Sequence, residues 1–247
     1  MIFPEWTPLN ITLYIFFAIL VLGVGPAEYF GMSMMNYSKF RTGKGLPGWA
    51  GMAFLYFMPI VALTLVAWSY LPNATLVQWA VYLAVAIHFA KRVLESLFLH
   101  RYSGSIDLFT TALISTFYSL AAGMLGWVNI NPLPAPDVWF YVGILLFIVG
   151  IAGNFYHHKL LADLRKNSLD YFIPKGGLFK YVVCPHYLFE IIAWLGIALL
   201  SRHLVAWFVL LFIIFYLTAR AMRVLKWYHE KFKDFPKDRK AILPFVL

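Results

Sequence analysis

Apolar runs near or beyond the ~20 residues needed to cross a bilayer recur along this chain, with charges and turn residues confined to the breaks between them. Backbone groups in hydrocarbon must be satisfied within the segment itself, so the runs predict helices. Composition agrees: 62% of the 247 residues are hydrophobic and only 13% are charged, against about 25% charged in a soluble domain. The expected fold class is all-α, a polytopic membrane protein of one domain over 1–247. Helices are expected over 8–33, 47–70, 75–99, 105–128, 137–160, 182–201 and 203–225, followed by a basic, amphipathic tail. The first run lacks the basic flank of a signal peptide and precedes further spans, so it is read as a retained helix. Cys184 is the single cysteine, which excludes an intrachain disulfide and a cysteine zinc site and leaves the redox compartment open.

Arg202 aside, all of the 20 Lys and Arg residues fall in alternate breaks or at the helix ends beside them. The positive-inside rule makes that side cytoplasmic, with the N-terminus outside and the C-terminus inside. The chain is therefore expected in a bacterial inner membrane or, in a eukaryote, the endoplasmic reticulum. The net charge of +9 suits insertion and anionic lipid headgroups. Membrane lipids are the expected surroundings and no nucleic-acid partner is expected. The oligomeric state is left open, a monomer being compatible.

Several cations are not simple loop residues. His88, Lys91, Arg92 and Glu95 follow one another at helical spacing, so they cluster over one or two turns. Inside a span such groups must pair with one another or line a wet cavity. An ion-paired structural girdle and the wall of a polar vestibule both satisfy that requirement. Arg220 and Arg223 enter the last helix before its apolar stretch ends, and guanidinium suits forked recognition of phosphate.

The segment from Asn154 to Glu190 carries the densest polar chemistry. Pro174 and the pair Gly176-Gly177 mark a turn, and Pro185 is placed to open or kink the sixth helix. Asn154, Asp163, Arg165, Tyr171, His186 and Glu190 gather amide, carboxylate, guanidinium, phenol and imidazole around it. A nucleotide uses that mixture, although Asn154 as a helix cap and His157 and His158 as interfacial anchors are equally open. The histidines lack metal-ligand spacing, so no metal is expected.

At these residues the sequence resembles the steroid 5-alpha-reductase family, also called 3-oxo-5-alpha-steroid 4-dehydrogenases, which includes polyprenal reductases and is related to trans-2-enoyl-CoA reductases. The resemblance is carried by five stretches: His88 to Glu95, Asn154 to Arg165, Ile173 to Tyr181, Pro185 to Trp194 and the tail from Phe235 to Phe245. It implies seven membrane helices with NADPH held mainly within 154–247 and the substrate pocket mainly in helices one to four. Carried over by position, it implies cofactor contacts at Lys39, Arg92, Asn154, His158, Arg165 and Tyr171, and at His186, Glu190, Trp194, Arg220, Tyr228 and Arg239. Steroid-reducing members carry a Gln-Glu pair on helix two and a Tyr on helix three. Here those positions read Phe54-Leu55-Tyr56-Phe57 and Phe89, and His158 stands where Asp is common.

The implied reaction is hydride transfer from NADPH to the conjugated C=C of a lipid enone, a 3-oxo-4-ene steroid or alternatively a polyprenal or trans-2-enoyl thioester. Such a reaction needs a hydrogen-bond donor at the carbonyl oxygen, where negative charge develops. Tyr56, near the family's acid position, Tyr187, one helical turn before Glu190, and Glu28, a carboxylate within a span, are the catalytic candidates. The Phe, Met and Leu content of helix two suits a lipid-like substrate and a lipid-facing surface alike. An S-adenosylmethionine-dependent membrane methyltransferase is the enzymatic rival. A transporter or receptor would need ionisable groups along a path through the membrane, whereas here they crowd at one face.

Overall fold

The computed structural model describes residues 1–33, 45–102, 104–131, 135–168 and 170–247. Among these, seven α-helices follow in order: α1 Pro8–Tyr29, α2 Gly48–Ala67, α3 Leu76–Leu94, α4 Leu108–Val128, α5 Val138–Leu164, α6 Pro185–Ser201 and α7 Leu204–Lys231. Their starts are set by local chemistry. Thr7, Thr75, Asp107 and Asp137 each accept a hydrogen bond from a backbone N–H of the first turn, satisfying a donor the helix cannot satisfy itself. Thr75 and Gln78 form a reciprocal capping box.

Five helices, α1, α2, α4, α5 and α7, are long and apolar enough to cross a membrane. The other two depart from that standard for different reasons. α6 has only 17 residues, about 26 Å of helix, because Pro185 occupies its first position and cannot extend it backwards. α3 ends in Lys91 and Arg92 and continues as one π-helical turn, Glu95–Leu99. α1 stops at Tyr29, short of the expected residue 33, where Gly31 takes a φ of +72°. α5 and α7 run past their expected ends, α7 by six residues, since the amphipathic start of the tail continues the helix.

Helices pack as α5 on α6, α2 on α4 and on α3, and α1 on α7. The α5–α6 contact is a close approach of small residues. A side chain at Gly150 would place its Cβ 2.3 Å from the Ala193 backbone nitrogen. Two short strands, β1 Leu46–Pro47 and β2 Ser105–Ile106, pair antiparallel and tie the breaks before α2 and α4 together at the basic end of the bundle. The turn expected at Pro174 to Gly177 is present, with Gly176 at φ +88° and Gly177 at +49°. Beyond Lys231 the chain leaves the helix and folds back. Lys240 and Ala241 carbonyls accept from the Val183 and Cys184 amides at 2.9 and 3.1 Å, so the tail closes over the start of α6.

Gly150→Leu is expected to cost about 1–3 kcal/mol through forced overpacking, read as a lower Tm in detergent. Gly123→Ala on α4, where an added Cβ meets nothing within 4 Å, is expected to stabilise by a few tenths to about 1 kcal/mol.

Candidate active site

The helix ends on the basic side enclose a polar cavity of about 200 Å³, and a second, mostly apolar cavity of about 350 Å³ lies beside it among α1, α4 and α7. Tyr56, Tyr118, Glu190 and Leu217 line both. The two spaces therefore meet at one point in the bundle.

Ten of the residues singled out from sequence line the polar cavity: Tyr56, Arg92, His158, Arg165, Tyr171, His186, Tyr187, Glu190, Arg220 and Tyr228. Arg165 lies over the Tyr171 ring at 4.8 Å, a cation–π contact near the mouth. Others stand elsewhere. Trp194 lines the apolar cavity, 5.0 Å from the His88 ring. Asn154 brackets three helices, accepting from Lys91 Nζ at 2.5 Å and donating to the His186 carbonyl at 2.8 Å. Arg239 donates to the Pro174 carbonyl at 2.9 Å and lies over the Phe235 ring, which pins the tail to the turn. Lys39 lies outside the described residues.

Glu28 lines neither of these cavities. It is fully buried and accepts from Arg220 at 2.9 Å, Arg223 at 2.7 Å and the Ser33 hydroxyl. A carboxylate in a span needs partners, and here it ties α1 to α7 while fixing one arginine of the cavity wall.

The spacing of Lys91, Arg92 and Glu95 on α3 resolves into both of its readings at once. Glu95 receives Lys91 at 2.7 Å and Arg92 at 2.5 Å, an ion-paired girdle. Arg92 extends further, donating from Nη2 to the Tyr56 hydroxyl at 2.8 Å with its guanidinium 4.7 Å from that ring. His158 Nδ1 lies 2.8 Å from Arg92 Nη1 and 2.9 Å from Glu95 Oε2. Donor atoms of Glu95, His100 and His158 fall within 4.8 Å of one another, a spacing that metal ions use. Arg92 Nη1 already stands among them, 3.5 Å from His100 Nε2, so a fixed guanidinium holds the cation position. Burial, and behind it the neighbouring His158 ring and the Arg92 guanidinium, holds the His100 imidazole well below its usual pKa.

The polar cavity also has walls that sequence reading missed. His100, Arg101, Tyr102 and Tyr118 line it. The run His100-Arg101-Tyr102 directly after the Glu95 turn was a readable signal. Tyr118 had none, being one tyrosine in an apolar span. It stacks on Tyr56 with centroids 5.8 Å apart and planes at 16°.

The arrangement defines a class first: a helical membrane protein with a cation-walled cavity joined to an apolar one. Residues 104–247 match the family described as 3-oxo-5-alpha-steroid 4-dehydrogenase. The chain is 31% identical over 223 residues to 3-oxo-5-alpha-steroid 4-dehydrogenase 1 of Bos taurus, covering 86% of each protein. It is 33% identical over 167 residues to the very-long-chain enoyl-CoA reductase of Dictyostelium discoideum, covering 66% of this chain and 56% of that protein. It is 43% identical over 109 residues to steroid 5-alpha-reductase DET2 of Gossypium hirsutum, covering 43% of this chain and 42% of that one. The chain belongs to the 3-oxo-5-alpha-steroid 4-dehydrogenase family, whose members are oxidoreductases acting on CH–CH bonds. Membership sets the methyltransferase reading aside.

Glu28→Gln leaves Arg220 and Arg223 without their shared counter-charge. Removing one partner of a buried pair is expected to cost about 3–5 kcal/mol, measured as lost thermal stability in detergent.

Proposed function

We propose that this protein is an NADPH-dependent membrane reductase that adds hydride to the conjugated C=C of a lipid enone. The observation that carries the reading is the meeting of a cation-walled cavity and an apolar cavity at Tyr56, Tyr118 and Glu190. A water-soluble polyanion and a lipid could each occupy the space suited to it and still touch there.

The residues of the polar cavity fit the dinucleotide by their chemistry. Arg101, Arg165 and Arg220 supply cations for its phosphates, Tyr171 and Tyr228 supply ring faces, and His186 and Glu190 supply polar groups at the inner end. NADPH, when bound, supplies the hydride. The chain's own residues then manage charge and protons. As hydride reaches the β carbon, the π electron pair moves to the carbonyl oxygen, where Tyr56 gives its hydroxyl proton. The enol returns to the ketone as a proton from solvent adds to the α carbon and the enol O–H proton goes back to the Tyr56 oxygen, so each turnover consumes one hydride and one solvent proton. Tyr187, with its ring 4.3 Å from that of His186, lines only the polar cavity and serves the cofactor side. Glu28 acts at one remove by holding Arg220.

In this reading all seven helices span, α3 and α6 included, with the basic end and the C-terminus cytoplasmic and the N-terminus outside. A 3-oxo-4-ene steroid is the leading substrate class. Phe57 and Phe89 in place of polar groups, together with the likeness to an enoyl-CoA reductase, favour an enoyl thioester or polyprenal as the second reading.

NADPH oxidation by purified protein against 3-oxo-4-ene steroids, polyprenals and enoyl thioesters tests the function, and folded protein that oxidises NADPH with none of them overturns it. Arg165→Ala is expected to weaken NADP affinity about 10- to 100-fold, the range for losing charge-assisted hydrogen bonds. Tyr56→Phe is expected to keep that affinity and lower kcat by roughly 100-fold.

A further inference from the structure

Arg92 sits at the centre of the polar cluster, and the two arms of its guanidinium face different tasks. Nη2 donates to the Tyr56 hydroxyl, the group that lines both cavities. Nη1 is held on the opposite side by Glu95 Oε2 at 2.5 Å and by His158 Nδ1 at 2.8 Å. Arginine is planar, so fixing one arm fixes the direction of the other. Arg92 can only donate, and His158 Nδ1 stands against both Nη1 and, at 2.9 Å, Glu95 Oε2, so the imidazole braces the Arg92–Glu95 pair whichever ring nitrogen carries its proton. The phenol oxygen of Tyr56 is the acceptor of the Nη2 bond. Three helices meet in this arrangement: α2 brings Tyr56, α3 brings Arg92 and, on the π-helical turn that continues it, Glu95, and α5 brings His158.

We infer that Glu95 and His158 are positioning residues for catalysis, gripping Arg92 so that it holds Tyr56 at the junction of the cavities with its hydroxyl aimed at the substrate carbonyl. The inference rests on the reductase reading and names the apparatus behind its proton donor. Lys91 belongs to the same apparatus from the other side: it neutralises Glu95 Oε1 at 2.7 Å and bonds Asn154, which keeps the carboxylate from turning away from Arg92. Glu95 is buried and paired, so it acts only through Arg92. A girdle that merely held helices together would not need to end on a tyrosine that lines both cavities.

The test is a double-mutant cycle with nucleotide binding measured separately. Glu95→Gln and His158→Asn are made in the wild-type chain and in the Tyr56→Phe background. NADP affinity is read from thermal stabilisation of the detergent-solubilised protein, and kcat and KM are read with the enone that turns over best. In the wild-type background each is expected to lower kcat by about 10- to 100-fold, and for Glu95→Gln, whose carboxylate lines neither cavity, NADP affinity is expected to stay within about threefold. In the Tyr56→Phe background the same changes are expected to cost less than about threefold, because there is no hydroxyl left to aim. Glu95→Asp, which keeps the charge, is expected to recover part of the loss. Equal losses in both backgrounds, or wild-type kcat in both single variants, would overturn the inference and leave the reductase reading standing. If Glu95→Gln does not fold, the His158→Asn pair decides the question by the same comparison. A folded wild-type protein that oxidises NADPH with no enone removes the function and this inference together.

Discussion

A charged side chain inside a helical bundle must find its counter-charge there, because neither lipid nor packed protein can solvate it. That requirement organises the basic end of this molecule. Glu28 draws Arg220 and Arg223 onto α1, and Glu95 draws Lys91, Arg92 and His158 together from α3 and α5. With these two carboxylates balancing the cations, Arg92 and Arg220 both line the polar cavity. The polar space between the helices follows from the pairing.

The apolar side is built by different means. Small residues at Gly143, Gly150 and Gly196 let α5 and α6 approach closely, while α1, α4 and α7 leave room among them lined by Phe17, Phe117, Phe208 and Phe212. The non-helical tail closes over the start of α6 by hydrogen bonding to Val183 and Cys184, two residues that themselves line the polar cavity. Tyr56 and Tyr118, stacked on each other, line both spaces.

Much of this was legible in advance because it is local. Helix starts at Thr7, Thr75, Asp107 and Asp137 follow from capping residues, and the turn at Gly176-Gly177 follows from glycine's tolerance of positive φ. The cluster of His88, Lys91, Arg92 and Glu95 was visible as spacing on one helix. Its destinations were not. His88 faces the apolar cavity, Lys91 and Glu95 turn inward on each other, and Arg92 reaches Tyr56 on another helix, choices made by neighbours far away in sequence. Asn154, Trp194 and Arg239 carry polar groups suited to a cofactor, yet their positions tie helices, line the apolar wall and anchor the tail.

The sequence by itself determined the class of molecule, the number of helices, the crowding of cations at one end and the family, because hydropathy, capping and motif order act over a few residues at a time. Only the tertiary structure decided that a polar and an apolar cavity adjoin and that Tyr56, Tyr118 and Glu190 stand where they meet. It also decided that Arg92 occupies the point on which Glu95, His100 and His158 converge. Those outcomes depend on which faces of five or six helices are turned toward one another, and that is settled by packing and charge pairing across the whole bundle.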